Sequence, residues 1–373
     1  MSPRSNQLIL SASIAGFGHH PGAPRGNPQR LTDIAHYRRL VQAAERGLLD
    51  FVLLHDERSV PIDRSAGHLD AITVLARLAP ETRHVGLAAS KPTTYTEPFH
   101  VSRELATLDF VSGGRAAWNA TTSARDDEAQ NFGEAHARPA EQRREQAEEF
   151  IAVSRKLWDS WEDDAVIADR ERGIYLDPSK LHHIDHAGKH YQVRGPQITY
   201  RPPQGHVVVV QTDQGDAGEP LDATVADVLI LHDERLEDAQ RAYAHHHGEA
   251  AAAQHEVRVL QSILPVLGES EAEAQARAAA LDAASPRGAA QPRALRLVGT
   301  PAQVAERLAE WFAAGAADGF HLLPDVLPDG LDELVRTLVP ELQRRGLFRS
   351  AYQGRTLREH LGLARPISQY AAV

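Results

Sequence analysis

The chain has 373 residues, 42% of them hydrophobic and 24% charged, with a formal net charge of −11. That is the composition of a globular protein, and the acidic balance, without a basic stripe interleaved with aromatics, argues against a nucleic-acid partner. There is no cysteine, which removes disulfides, thiolate catalysis and cysteine-held metal or iron–sulfur centres. No run of about 18 apolar residues would span a membrane. The N-terminal MSPRSNQLIL lacks a cationic segment leading into a long apolar core, so the expected location is the cytoplasm.

Residues 8–14 form an apolar, strand-length run ending in a loop, 16–27, that carries His19 and His20. Residues 30–47 show helical periodicity through Ile34, Tyr37, Leu40, Val41 and Ala44, and Gly47 fits the stop. A second strand at 51–54 delivers His55, Asp56 and Glu57 into a loop. A helix over 69–78 follows, then a third strand over 85–89 that ends at Ser90, Lys91 and Pro92. The next helix closes a pattern through Phe99, Val101 and Leu105, and Ser112-Gly113-Gly114-Arg115 ends it because glycine takes positive φ. A fourth, buried strand over 116–122 carries Trp118 and Asn119, with the polar run 123–131 as its loop.

Residues 141–161 make a long amphipathic helix with Phe150, Val153, Leu157 and Trp161 on one face. Trp158 and Trp161 are expected in the core, and Glu162-Asp163-Asp164 as a solvated helix end. Residues 162–203 break the rhythm before a fifth strand at 207–210; three more strands are expected at 228–231, 257–264 and 319–323, with helices over 269–284 and 301–314. No internal repeat beyond the β/α unit is expected. Eight strands alternating with helices predict an α/β, single-domain closed (β/α)8 TIM barrel over residues 1–373, with a short segment, 268–296, between strands 7 and 8.

The stretch SGGRAAWNATTS followed by NFG, within 112–133, is joined by AERGLLDFVLL (44–54), LWDSWEDDAV (157–166), HHIDHAGKHYQVRGP (182–196), VPELQRRGLFR (339–349) and TLREHLGL (356–363). Together they resemble the flavin-dependent monooxygenases related to bacterial luciferase, in the branch acting on nitrilotriacetate, dibenzothiophene sulfone and pristinamycin-type substrates. The resemblance runs nearly end to end. It implies a luciferase-like barrel and a two-component, FMN-dependent monooxygenase. Such an enzyme takes reduced FMN from a separate NAD(P)H:flavin reductase and uses O2 to oxygenate a small N- or S-containing organic compound, as a homodimer.

The resemblance also implies site residues at strand ends. Asp56 stands near the isoalloxazine, Ser90 in the place of a flavin-bonding hydroxyl, and Asn119 at the ring edge. The family's Gly-Ser-Ser phosphate loop is altered here to Gln211-Thr212-Asp213-Gln214-Gly215-Asp216-Ala217-Gly218-Glu219. Gln211 and Gly215 remain as candidate contacts, while Asp213 and Glu219 add negative charge. A carboxylate roughly 4 Å from a phosphate repels it by on the order of a few kcal/mol. Ala140 and Arg144 replace a His and a Tyr that touch flavin in the family. Arg144 is either a charged fork for phosphate or the partner of Glu148 at i+4, and His136 is a substitute for the lost His. The family's segment before the last unit is longer than 268–296 and helps cover the site, so a more open mouth is expected.

For proton handling the candidates are His20 and His321, with a satisfied core histidine as the other reading of His321. His182, His186 and His190 recur every four residues, and His245, His246 and His247 are consecutive. Consecutive helical residues point apart, and no metal site is expected. Two rival readings fit the same residues: the same barrel using the deazaflavin F420, and a degenerate, non-catalytic barrel acting as a binding or partner subunit.

Overall fold

The computed structural model describes residues 6–371 apart from 15, 25, 61–67 and 214–221. In chain order the first half contains β1 (Ile9–Ser13), α1 (Ile34–Arg46), β2 (Phe51–Leu54), α2 (Ala71–Leu78), β3 (Gly86–Pro92), α3 (Pro98–Ser112), β4 (Ala116–Thr121), α4 (Asp126–Gln130) and α5 (Ala140–Asp159). Two antiparallel hairpins follow, β5 (Val166–Asp169) with β6 (Ile174–Leu176), and β7 (His186–Ala187) with β8 (Gln192–Val193). The chain continues through β9 (Val208–Thr212), β10 (Val228–Leu231), α6 (Leu236–Ala252), β11 (Arg258–Leu267), α7 (Glu271–Ala284), β12 (Leu295–Gly299), α8 (Pro301–Ala313) and β13 (Gly319–Leu322). It ends with α9 (Asp329–Glu333), α10 (Val339–Arg344) and α11 (Leu357–His360).

The parallel order β10-β9-β4-β3-β2-β1-β13-β11 returns to β10 through a β10–β11 pairing, so the eight expected strands close into a barrel. β12 is not among the expected strands; it pairs with the far end of β11, Ile263 opposite Leu295. Local chemistry sets the element ends. Gly113 takes φ +69 at the end of α3, and its N–H bonds back to the carbonyls of Asp109 and Phe110, a conformation that glycine adopts without a Cβ clash. α8 opens with a Thr300–Gln303 capping box and Pro301 in its first turn.

Inside the barrel the strand period of two collects Ile9, Phe51, Leu53, Ala88, Ala117, Val208, Val210, Val228, Ile230 and Leu260 into one buried cluster. Following the same alternation towards the strand C-termini gives Ser11 and Ser13, His55, Ser90, Asn119, Thr212, His232, Ser262 and His321. The interior is therefore apolar at its base and polar at its mouth.

The base is closed by charge pairs. Asp50, Asp227 and Asp318 each precede a strand and accept the N–H groups of Leu10, Val209 and Val259 at 2.8, 2.8 and 2.9 Å. The C-terminal tail brings Arg349 to Asp50 and Arg358 to both oxygens of Asp227, at 3.1 and 2.9 Å. It also inserts Leu357, Leu361 and Leu363 into the interior cluster.

Trp158 and Trp161 are buried as expected, at 0% and 9% exposure. The acidic triplet beside them is not simply solvated. Glu162 meets His182 at 2.8 Å, Asp163 meets Arg201 at 3.1 Å and Arg365 at 2.6 Å, and Asp164 pairs with Lys180. These contacts fasten the hairpin segment and the tail to the end of α5.

Candidate active site

The C-terminal ends of the barrel strands form a mouth with two tiers of polar side chains. The lower tier is sealed: Ser11, Ser90, Asn119, Ser262 and His321 are each at most 1% exposed. Thr212 Oγ1 donates to Asn119 Oδ1 at 3.0 Å, and Asn119 Nδ2 donates to Ser90 Oγ at 2.8 Å, a chain running across β9, β4 and β3. Ser11 Oγ lies 2.8 Å from His321 Nδ1. Strand register sets Ser11 and Ser262 on either side of His321.

The upper tier is half-buried and contains His19, His55, Asp56, Thr212, Asp213 and His232. His19 Nδ1 faces the carbonyl of Pro324 at 3.1 Å. A carbonyl can only accept, so Nδ1 carries the proton, and Nε2 receives the Ser13 hydroxyl at 2.7 Å. His232 is fixed in the opposite sense, its Nε2 donating to the backbone carbonyl of Asp213 at 2.9 Å.

Burial governs the charge state of this region. It holds His19 and His55 down to about 4, with neighbouring imidazoles adding to the effect at His55. Burial likewise lowers His232, and takes His321 well below the ordinary imidazole value. These four rings are neutral at pH 7. Asp56, with 6% of its side chain exposed, is pushed up by burial against the opposing pull of Arg58 at 3.5 Å and His68 at 3.7 Å.

Of the residues singled out in the sequence, Asp56, Ser90, Asn119 and His321 come together at the mouth, Ser90, Asn119 and His321 below the layer that solvent reaches, whereas Gln211 lies out of phase with the inward-facing Val208, Val210 and Thr212. Gln211 Oε1 accepts the N–H of Asp222 at 2.8 Å, and Gly215 lies outside the described residues. His20, His136 and Arg144 do not join them. His20 turns towards α7, with Nε2 3.2 Å from Asp282 Oδ1, where Gly22 packs so closely that a Cβ would meet the Leu281 carbonyl oxygen at 1.9 Å. It clasps the β1 loop to α7, and its neighbour His19 takes the mouth position. The His136 side chain is 82% exposed and held by Asp126 at 2.9 Å. Arg144 is half-exposed and pairs with Glu148 in the i+4 geometry. The charge expected from Asp213 is offset by Arg293 at 3.7 Å.

His19, His55 and His232 were not among the sequence candidates, yet a signal for two of them was present. Asp50-Phe51-Val52-Leu53-Leu54-His55-Asp56-Glu57-Arg58 is repeated as Asp227-Val228-Leu229-Ile230-Leu231-His232-Asp233-Glu234-Arg235, against the expectation of no internal repeat. In both copies the first aspartate caps a neighbouring strand and pairs with a tail arginine, and the histidine ends at the mouth. β2 and β10 lie four strands apart in the closed order of eight, so His55 and His232 enter the mouth from opposite walls.

His182, His186 and His190 each meet a different carboxylate, Glu162, Glu149 and Glu145, at 2.8, 2.9 and 3.6 Å. The expectation that His245 and His246 point apart is corrected. Both reach Glu249 Oε2, at 3.4 and 3.3 Å, because i+3 and i+4 share a helix face. A cavity of about 420 Å³ opens at the base of the barrel, lined by Ile9, Val257, Arg258, Asp318 and His360 among others. Barrel enzymes carry their chemistry at the strand C-termini, which makes the mouth the candidate active site.

A closed parallel barrel with a polar, partly enclosed mouth at its strand C-termini defines the class of TIM-barrel enzymes. The luciferase-like monooxygenase model matches residues 12–318, and the chain belongs to that family of enzymes. N-acetyl-S-(2-succino)cysteine monooxygenase of Bacillus subtilis is 34% identical over 100% of both chains. Nitrilotriacetate monooxygenase component A of Aminobacter aminovorans is 35% identical over 98% of this chain and 99% of its own. The solved structure of an EDTA monooxygenase from a Chelativorans species matches with TM-score 0.85 at 28% identity, covering 96% of this chain and 99% of that one.

Proposed function

We propose that the chain is the oxygenase of a two-component system that takes reduced FMN from a separate NAD(P)H:flavin reductase and oxygenates a small N- or S-containing compound with O2. The observation that carries this reading is the mouth: buried acceptors from separate strands, set on a sealed layer that fixes their orientation. The substrates named for the relatives, nitrilotriacetate, EDTA and a succinylated cysteine, contain nitrogen or sulfur, and "component A" implies a second component. We take the active form to be a cytoplasmic homodimer.

When bound, the reduced flavin supplies the electrons that activate dioxygen. The work of this chain is positional. The polar edge of an isoalloxazine carries both acceptors and donors, and the upper tier offers lone pairs to its N–H groups. Asp56 Oδ2 is a buried acceptor without a hydrogen bond among the described residues. Thr212 spends its hydrogen on Asn119 and so turns lone pairs outward. The neutral imidazoles of His19, His55 and His232 wall the mouth without adding charge, and exclusion of water there strengthens each remaining polar contact. His321, its Nδ1 held by Ser11, is the group that would hold or move a proton beneath the ring.

Titrating the purified chain with FMN and, anaerobically, with reduced FMN tests the reading through flavin absorbance and fluorescence. Binding of the reduced form at micromolar concentration or tighter is expected. No binding of either form at concentrations on the order of hundreds of micromolar would overturn it, and F420 binding in its place would move the chemistry to the deazaflavin.

A further inference from the structure

His232 has a position and a tautomer that together assign it a task. Val228 and Ile230 face the barrel interior, and His232 is the next residue in that alternation. Its Nε2 lies 2.9 Å from the backbone oxygen of Asp213, which has no proton to give, so the ring hydrogen resides on Nε2. Burial keeps the ring neutral, and Nδ1 is left with a lone pair. That atom is buried and has no hydrogen-bond partner among the described residues. The Ser13 hydroxyl and the His19 ring hydrogen are used within the His19 contacts, and Gln261 Nε2 donates to Asp233 at 3.0 Å.

We propose that His232 Nδ1 accepts an O–H or N–H hydrogen from the molecule bound at the mouth, so that the site favours ligands presenting such a donor at that point. An unpaired, buried imidazole lone pair rewards a group that can donate a hydrogen to it. The inference deepens the monooxygenase reading and rests on it only for taking the mouth as the ligand site.

The test uses the whole chain with 15N-labelled histidine and no flavin. Long-range 1H–15N correlation spectra are expected to show His232 protonated at Nε2 alone at neutral pH. Phenol, an uncharged O–H donor, should shift the Nδ1 resonance; anisole, its methyl ether, should not. His232→Asn keeps an acceptor where Nδ1 stands, whereas His232→Gln keeps the reach to Asp213 but brings no acceptor to that place. Phenol affinity should fall about fivefold in His232→Gln and stay within about twofold in His232→Asn, the effect of one neutral hydrogen bond. A proton on Nδ1, an Nδ1 resonance unmoved by phenol, or equal phenol affinity in the wild type and His232→Gln would overturn the assignment. Because no flavin is present, these outcomes are separate from the FMN titration: either result can fail while the other stands.

Discussion

The hydroxyl of Thr212 points its hydrogen at Asn119 Oδ1 over 3.0 Å, and Asn119 hands the polarity on to Ser90 over 2.8 Å. Reversing or cutting this chain leaves a buried amide oxygen unpaired. Thr212→Val keeps the shape and loses the donor, so urea denaturation should show a loss of roughly 1–3 kcal/mol, together with weaker FMN binding. Thr212→Ser restores the donor and should lie close to the wild type in both measurements. At this scale the sequence discloses the polar strand ends but not their depth. Asp56, Ser90 and Asn119 each follow from a strand ending in a polar residue, yet which of them solvent reaches depends on the stagger of neighbouring strands. His20 and His19 show the same gap. Adjacent loop residues face opposite ways, and the choice was made by Asp282 and Leu281, contacts far along the chain that no local pattern announces.

The strand that begins with Asp227 and ends at His232 shows how one element serves both ends of the barrel. At its base, Asp227 is held below the usual carboxylate range, chiefly by Arg358 acting against the cost of its burial. Arg358→Met removes the cation and leaves Asp227 buried without it, a change expected to cost about 3–5 kcal/mol. The double substitution Asp227→Asn with Arg358→Met should cost less than the sum of the two single changes, as read from chemical denaturation of all four proteins. Strands were legible because short continuous apolar runs are bounded by Gly, Pro and polar or charged residues. β12 was not, and the reason is Pro265. A proline reads as the end of a strand, but here β11 continues through it to Leu267 and offers a second edge, with Pro265 opposite Leu297.

Across the whole molecule the two ends of the barrel hold their titratable groups differently: paired charges at the base, neutral imidazoles at the mouth. The imidazoles give the protein an acid sensitivity with a definite sign. Burial holds His19 and His55 at about 4 in the folded chain, against the ordinary imidazole value of about 6.5, so between these values the unfolded chain binds more protons than the folded one. Their contribution is intact above about 6.5 and is lost as the pH falls towards 4, at about 1.4 kcal/mol per pKa unit for each ring. Asp227 and Asp318, held low, act in the same sense, but only as the pH drops through the carboxylate range. Asp109 works against them. Burial raises it to about 6, so its folded form gains protons first and its stabilising effect disappears as the pH rises through 6. With His19, His55, His232 and His321 held low and opposed by Asp56 and Asp109 held high, the unfolding temperature should fall from pH 7 to pH 4. His19→Gln, which cannot take up a proton, should flatten the upper part of that fall, between about 6.5 and 4. Thermal unfolding of both proteins across the interval checks it. A mutant curve displaced vertically but parallel to the wild type would mean that burial of the His19 ring does not set the acid limb.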